Sequence, residues 1–382
     1  LASATGARPL RTDRCPALLL LGLLSLAADA AEDPSAAVDA LFAEFADTPA
    51  PGCAVGIARG DTLVHAAGYG RANLEYELPL DADSVFRVGS VSKQFTAAAV
   101  ALAAEEGLID LDAGIGTYLP GLHESVQGAT VRQVLGHVGG LPDYESDELN
   151  AVLRDAMGNP FEFGAEDHLT TAEFYEVTRA VEQAQLPGTR YRYSNIGYFW
   201  LGQIVERVTG ERLRTYAERR IFEPAGMAAT LFNDDTTRVI PHRASGYRPT
   251  EDGWRIFETN LDWVGEGGIY TSVNDLARWN AQYRNPTIGA DPEALRARLE
   301  RPVSDLPLDA GGGEARYAFG LVVGEDEAGR SFLQHGGSWV AFRAFFKRFP
   351  AEDFAYWVLC NRPDVSPAAF GEGIEAIHLE DR

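Results

Sequence analysis

Ser90 and Lys93 stand three residues apart in FRVGSVSKQFTAA, at the start of an alanine-rich run that ends at Gly107. That spacing puts both side chains on one face of a helix and brings a hydroxyl within reach of an amine. Serine is a poor nucleophile at its own pKa and needs a neighbouring base. A lysine withdrawn from water near the positive end of a helix loses its proton more readily and can serve as that base. The backbone N–H of Ser90, a donor that a helix start leaves unpaired, can face a developing oxyanion. Usage sharpens the pairing: of the 33 basic side chains only Lys93 and Lys347 are lysine, and arginine stays protonated and cannot be a base. The plain alternative is an exposed lysine on an ordinary helix.

Two later stretches hold residues of matching chemistry. Tyr193-Ser194-Asn195 lies in LPGTRYRYSNIGYFWLG, between a turn and a helix, and His335-Gly336-Gly337 lies at the end of a strand in FLQHGGSWVAFRAFF. A tyrosine whose pKa is lowered by nearby cations can shuttle a proton between serine and leaving group. Asn195 offers an amide to a substrate, and the two glycines let a substrate lie against a strand edge. The amide of Ser338 is the candidate second oxyanion donor. The alternatives are a packing aromatic for Tyr193 and a satisfied core histidine for His335. Tyr283-Arg284-Asn285 and His137-Val138-Gly139 repeat the short patterns elsewhere, so order and context carry the assignment.

The elements that must position these groups follow from periodicity. CAVGIARGDTLVHAAGYG reads as a hairpin turning at Gly60 and Asp61. Helices are expected over Pro34–Asp47, after Thr130, near 171–184, 196–209 and 211–222, and after Ser272; 143–170 reads as a surface excursion. A second hairpin turns at Asp252-Gly253. Arg316–Gly324, Arg330–His335, Val340–Phe349 and Phe354–Cys360 read as a meander, with a helix from Pro367 closing the chain. The simplest assembly is an α/β protein of the α+β type: one antiparallel sheet, built from both ends of the chain and flanked by helices, with 111–261 inserted as a mainly helical lobe.

Composition bounds the rest. With 382 residues, 46% of them hydrophobic, the chain buries a large core, and its net charge of −23 argues against nucleic acid or an anionic membrane as partner. Arg8, Arg11 and Arg14, an apolar run from Ala17 to Ala28, and Ala28-Asp29-Ala30 have the layout of a signal peptide over 1–30. The mature domain is then 31–382, periplasmic or secreted, with no stable membrane anchor. Cys53 and Cys360 remain; two buried thiols on neighbouring strands are expected ahead of a disulfide. No metal spacing occurs among the seven histidines and no cofactor is implied. No G-x-S-x-G elbow occurs, which disfavours an α/β-hydrolase.

In the order S-x-x-K, Y-S-N, H-G-G, the motifs resemble the penicillin-recognising serine hydrolases, specifically the class C β-lactamase branch. RVGSVSKQFTA, VRQVLGHVGGLPDY, PGTRYRYSNIGY and GEGGIYTSVNDLARW extend that resemblance over the mature chain. It implies a β-lactamase/transpeptidase-like fold. It also implies Ser90 as acylated nucleophile, Lys93 as its base or proton partner, Tyr193 as general acid/base, Asn195 as substrate contact and the Ser90 and Ser338 amides as oxyanion hole. One departure stands out: His335-Gly336-Gly337 replaces K-T-G, removing a permanent cation and a hydroxyl that would hold a substrate carboxylate. A histidine is partly charged near neutral pH. The change favours small esters or D-amino-acid peptides over penicillins. A true class C-like β-lactamase, and a penicillin-binding sensor without turnover, are the competing readings. His137-Val138-Gly139-Gly140 also departs from the family's more usual T-S-G.

Overall fold

Near the N-terminus the apolar run CAVGIAR forms β1 (Cys53–Arg59), which returns through Gly60, in the left-handed region at φ 56°, into β2 (Thr62–Tyr69). The computed structural model describes residues 33–46, 48–143, 149, 168–308 and 314–379. Short pairs follow, β3 (Arg71–Asn73) with β4 (Leu78–Pro79), while β5 (Phe86–Arg87), β6 (Leu231–Phe232) and a later strand make a three-stranded sheet. The expected second hairpin is β7 (Tyr247–Thr250) with β8 (Gly253–Ile256), and β9 (Ile269–Thr271) is the central strand of that small sheet. The meander is β10 (Arg316–Tyr317), β11 (Val322–Glu325), β12 (Ser331–Trp339), β13 (Phe342–Phe349) and β14 (Phe354–Cys360).

Hairpin and meander join in one seven-stranded antiparallel sheet, in the order β10-β11-β12-β13-β14-β1-β2. The central strands are buried on both faces, which is why their sequences run apolar without alternation. The faces still divide by period two. Cys53, Val55, Ile57, Tyr356 and Val358 pack under the helices Pro34–Leu41 and Pro367–Leu379. Ala54, Ala58, Trp357 and Leu359 face the core shared with the helix Lys93–Glu105. Gly56 leaves the room that the Trp357 indole fills, since a Cβ there would lie 2.3 Å from its Nε1. The second lysine, Lys347, is spent on structure: from β13 it donates to Glu375 of the last helix at 2.8 and 3.1 Å.

Several expectations need correction. Arg316–Gly324 is not one strand: Gly320, at φ 78°, turns the chain between β10 and β11 and packs against the backbone of Lys93 and Gln94. The helix near 171–184 stops at Thr178, and that near 211–222 is an α-helix over Leu213–Ala217 running on into a π-turn, Glu218–Phe222. The excursion over 143–170 lies largely outside the described residues, as does 1–30. Among the described residues no helix is long and apolar enough to cross a membrane.

The cysteine expectation is also overturned. Cys53 and Cys360 stand directly opposite each other on β1 and β14 and are joined as a disulfide across 307 residues of sequence. Sequence spacing carries no register, so it could not place two thiols at one rung of the ladder. A cross-link that closes so long a loop restricts the unfolded chain strongly. The double variant Cys53→Ala/Cys360→Ala should therefore lose about 2–4 kcal/mol of stability, read as a lower urea midpoint at unchanged slope. The mature wild-type protein should show no thiol reactive to Ellman's reagent when denatured without reductant, and one free thiol per cysteine would contradict the bridge.

Candidate active site

The serine does not sit inside the helix that its spacing suggested. Gly89–Ser92 form a 3-10 turn, and the α-helix begins at Lys93. The tighter turn still serves, because residues three apart eclipse in it. Lys93 Nζ lies 3.1 Å from Ser90 Oγ, and Tyr193 Oη donates to the same oxygen from 2.9 Å. Ser92 is no rival nucleophile, since its buried Oγ accepts the Ile269 N–H at 3.0 Å.

Lys93 is wholly buried, and its Nζ also donates to Asn195 Oδ1 and to the Glu266 carbonyl, each at 2.7 Å. Burial lowers its pKa from 10.5 to about 7, against the opposing charges of Glu266 and Asp143. As a neutral amine it keeps two N–H groups and one lone pair. The two fixed acceptors hold the N–H groups, and the lone pair is left facing Ser90.

The expectation for Tyr193 is reversed. Burial raises its pKa well above 10, outweighing the hydrogen bond to Ser90, so it is a neutral phenol near neutral pH. The same burial that favours the neutral amine of Lys93 disfavours the phenolate of Tyr193, so of the two the amine is the better proton acceptor. These protonation states suit Lys93 to accept a proton and Tyr193 to give one.

Asn195 opens the helix Asn195–Thr209, whose N-cap, Ser194, accepts from Gly197 N–H at 3.0 Å. Asp143 fixes this residue twice, accepting from its backbone N–H at 2.7 Å and from its Nδ2 at 3.2 Å. With its Oδ1 given to Lys93, one side-chain N–H remains to point elsewhere. Asn195 thus positions the lysine, and the N–H left over faces the same cleft as Ser90.

On the opposite wall the turn Gly89–Ser92 meets β12. A Cβ on Gly337 would lie 2.0 Å from the Val88 carbonyl and 3.2 Å from the Ser90 nitrogen; one on Gly89 would lie 2.6 Å from the Ser338 nitrogen. The missing side chains let the two backbones touch and bring the Ser90 and Ser338 amides to one place, as an oxyanion hole requires. Gly337 therefore serves packing. Gly336 is exposed, and a Cβ there would meet only ordinary contacts, 3.8 Å from Phe345 and 4.0 Å from the Ala344 carbonyl.

His335 does not meet its expectation. It is 7% exposed and absent from the lining of the cleft. Its Nδ1 lies 2.6 Å from the Gly336 carbonyl and its Nε2 lies 2.8 Å from the Tyr317 hydroxyl, a pattern that a neutral ring satisfies by donating to one and accepting from the other. Burial, with Lys93 adding to it, lowers the pKa to about 4. It is a satisfied core histidine, and no partial charge is available near pH 7.

His137 acquires a role. It is buried at φ 55°, accepts the Ser194 N–H on Nδ1 at 3.1 Å, and lies under Tyr193 with ring centroids 4.3 Å apart. Burial, Lys93 and His335 hold its pKa well below 6.5. It seats both Tyr193 and the start of the Asn195 helix.

The open cleft, about 460 Å³, is lined by Arg87, Ser90, Asp143, Asn195, Glu266 and Ser338, with Phe257, Trp339, Val340 and Arg343. Asp143, Glu266, Tyr317 and Arg87 were not singled out from the sequence. Asp143 and Glu266 do lie within LPDY and GEGG, where acids stand among turn residues next to the motifs. Tyr317 had no signal, because it sits on β10 among other apolar strand residues and nothing in its neighbourhood points to a site.

Such a sheet, with a serine, a buried lysine and a tyrosine meeting at the start of its central helix, defines a class of acyl-transfer protein. The Beta-lactamase family model matches residues 38–378, and the chain belongs to that family. It is 29% identical over 344 residues to a D-aminopeptidase of Gluconobacter oxydans (strain 621H), spanning 89% of this chain and 61% of that protein. To penicillin-binding protein 4* of Bacillus subtilis (strain 168) it is 27% identical, covering 76% and 63%. The chain thus spans about three fifths of the length of these curated relatives. The fold superposes on the octameric penicillin-binding protein homologue from Pyrococcus abyssi with a TM-score of 0.75 at 26% identity, covering 91% of this chain and 76% of that one.

The base must be unprotonated, so kcat/KM for an uncharged substrate should rise with pH through about 7, the Lys93 value, and fall away below it. Lys93→Arg should be nearly as damaging as Lys93→Ala, about a thousandfold or more in turnover. His335→Gln should leave the midpoint of that profile in place. An arginine variant that kept most of its activity would reduce the lysine to a fixed charge.

Proposed function

We propose that the protein is an exported hydrolase that works through an acyl-serine on small esters or on peptides and amides of D-amino acids. The observation that carries this reading is the convergence on one oxygen: Ser90 Oγ lies 3.1 Å from a buried amine and 2.9 Å from a neutral phenol. Lys93 takes the Ser90 proton as Oγ bonds to the substrate carbonyl carbon, and the carbonyl oxygen gathers charge beside the Ser90 and Ser338 amides. Tyr193 gives its proton to the departing oxygen or nitrogen as that bond breaks, and the Lys93 ammonium returns a proton to Tyr193. Water, activated by the same neutral amine, then attacks the ester and restores Ser90.

Two observations support the substrate class. The sequence relatives include D-aminopeptidases, and the position that K-T-G occupies elsewhere is filled by a buried neutral histidine that offers no cation to a carboxylate on the leaving side. The latter weighs against an efficient β-lactamase. Export is supported by the layout of residues 1–30 and by a disulfide, which persists in oxidising compartments.

A fluorophosphonate should label the wild type and Ser92→Ala, and fail to label Ser90→Ala. After incubation with an activated ester, D-alanine amide or benzylpenicillin, mass spectrometry should find the acyl adduct on the peptide containing Ser90. Turnover should be fastest with the ester or the amide. Label on a peptide lacking Ser90 would sink the mechanism, and a wild-type preference for penicillin would return the protein to the β-lactamases.

A further inference from the structure

Arg87 ends β5, three residues before the nucleophile, and is only 2% exposed. Its Nε and Nη1 are buried with no hydrogen-bond partner, and among the described residues no carboxylate stands at ion-pair distance from it. Aromatic residues flank it: Cζ lies 5.4 Å from the Trp339 centroid and 5.9 Å from that of Tyr270, whose hydroxyl also interacts with the guanidinium. Glu258, which also feels its charge, accepts the Gly246 N–H at 2.6 Å. A guanidinium out of water without an anion is costly, and rings offset only part of that cost. This one lines the same cleft as Ser90.

Arg343 lines that cleft too. Its Nη1 donates to the Val340 and Phe342 carbonyls at 2.9 and 2.8 Å, which fixes the fork and leaves its remaining N–H groups unassigned. Both arginines stand with Trp339 and Val340, beyond Ser338 in the direction of β12 and away from His335. The acids of the cleft act at the other end: Asp143 holds Asn195, and Asp143 and Glu266 both bear on Lys93.

The reaction geometry says which part of a substrate meets the arginines. With the carbonyl oxygen at the Ser90 and Ser338 amides, the leaving atom must lie by Tyr193, which protonates it. The acyl substituent then points away from Tyr193, into the part of the cleft lined by Arg87, Trp339 and Arg343. We propose that Arg87 and Arg343 form an anion subsite on the acyl side of the cleft, selecting substrates whose acyl portion carries a carboxylate. This deepens the ester reading of the function proposed above, since the acyl part of a free D-amino-acid amide carries a cation, and it rests on Ser90 being the acylated residue.

Two esters with one leaving group test it on the mature protein: the mono-p-nitrophenyl ester of adipic acid and p-nitrophenyl hexanoate, which differ by a terminal carboxylate. The wild type should favour the adipate ester in kcat/KM. Arg87→Gln should lower the adipate-to-hexanoate ratio by about tenfold, the scale of one lost charge-assisted pair. Arg343→Gln should lower it by a smaller factor, and Arg87→Lys should retain part of it. If Arg87→Gln does not fold, the half-buried Arg343→Gln carries the test. Free adipate then joins it, and should inhibit wild-type hexanoate hydrolysis more strongly than 1-hexanol does. A ratio unchanged in the folded variants, or equal inhibition by adipate and 1-hexanol, overturns the subsite. Ester hydrolysis that survives Ser90→Ala would instead overturn the reading on which it rests.

Discussion

The burial of one amine organises this molecule. An ammonium enclosed by protein is disfavoured, and the fold exploits that penalty by giving Lys93 two acceptors that suit a neutral amine equally well. Nearly every element near the cleft contributes to the enclosure. The helix Asn195–Thr209 brings an amide, the Gly265–Gly268 turn a carbonyl, and the rings of Tyr193 and Tyr198 stand 4.8 and 5.6 Å from Nζ. The same burial has opposite effects on neighbouring groups. It pushes the tyrosines up and the histidines down, so every titratable ring around the lysine is uncharged near neutrality and the proton has one place to go.

A second constraint is backbone on backbone. The 3-10 turn that bears Ser90 approaches β12 too closely for a Cβ on either side, so the separation of the two amides that receive an oxyanion is set by two absent methyl groups. The sheet makes this contact rigid: the β12 segment from Leu333 to Trp339 pairs along its length with β13, whereas β11 reaches only as far as Gln334. Beyond Gln334 the pairing with β11 ends, and the turn that bears Ser90 comes against the strand at Gly337 and Ser338. One strand is therefore anchored by β13 while its last residues meet the nucleophile's turn.

Much of this was legible in the sequence, and what was not has definite causes. Ser90, Lys93 and Tyr193 could be named because their chemistry is specific and their contexts are local: a helix start, a P-G-T turn. The hairpin and meander were legible from periodicity, and their union in one sheet from the economy of closing both ends of the chain together. Protonation states were not legible, because they depend on how much protein surrounds a ring. His335 was given the partial charge of a histidine in open water and Tyr193 a pKa lowered by nearby cations, and burial moves both the other way. Pair register was also invisible, so the thiols of Cys53 and Cys360 could not be placed on one rung. Arg87 gave no signal, since one arginine among many becomes conspicuous only when its partners are found missing.

The bridge between β1 and β14 also dictates an order of events. Chains are made from the N-terminus onward. Cys53 is among the first residues of the fold to emerge, and its partner lies 307 positions behind it. Throughout that interval Cys53 is a thiol without a mate, and β1 has no neighbour on its β14 side. The sheet cannot close, nor the bond form, until almost the whole domain has arrived. Folding of this domain therefore finishes late, and its earliest strand waits for its last.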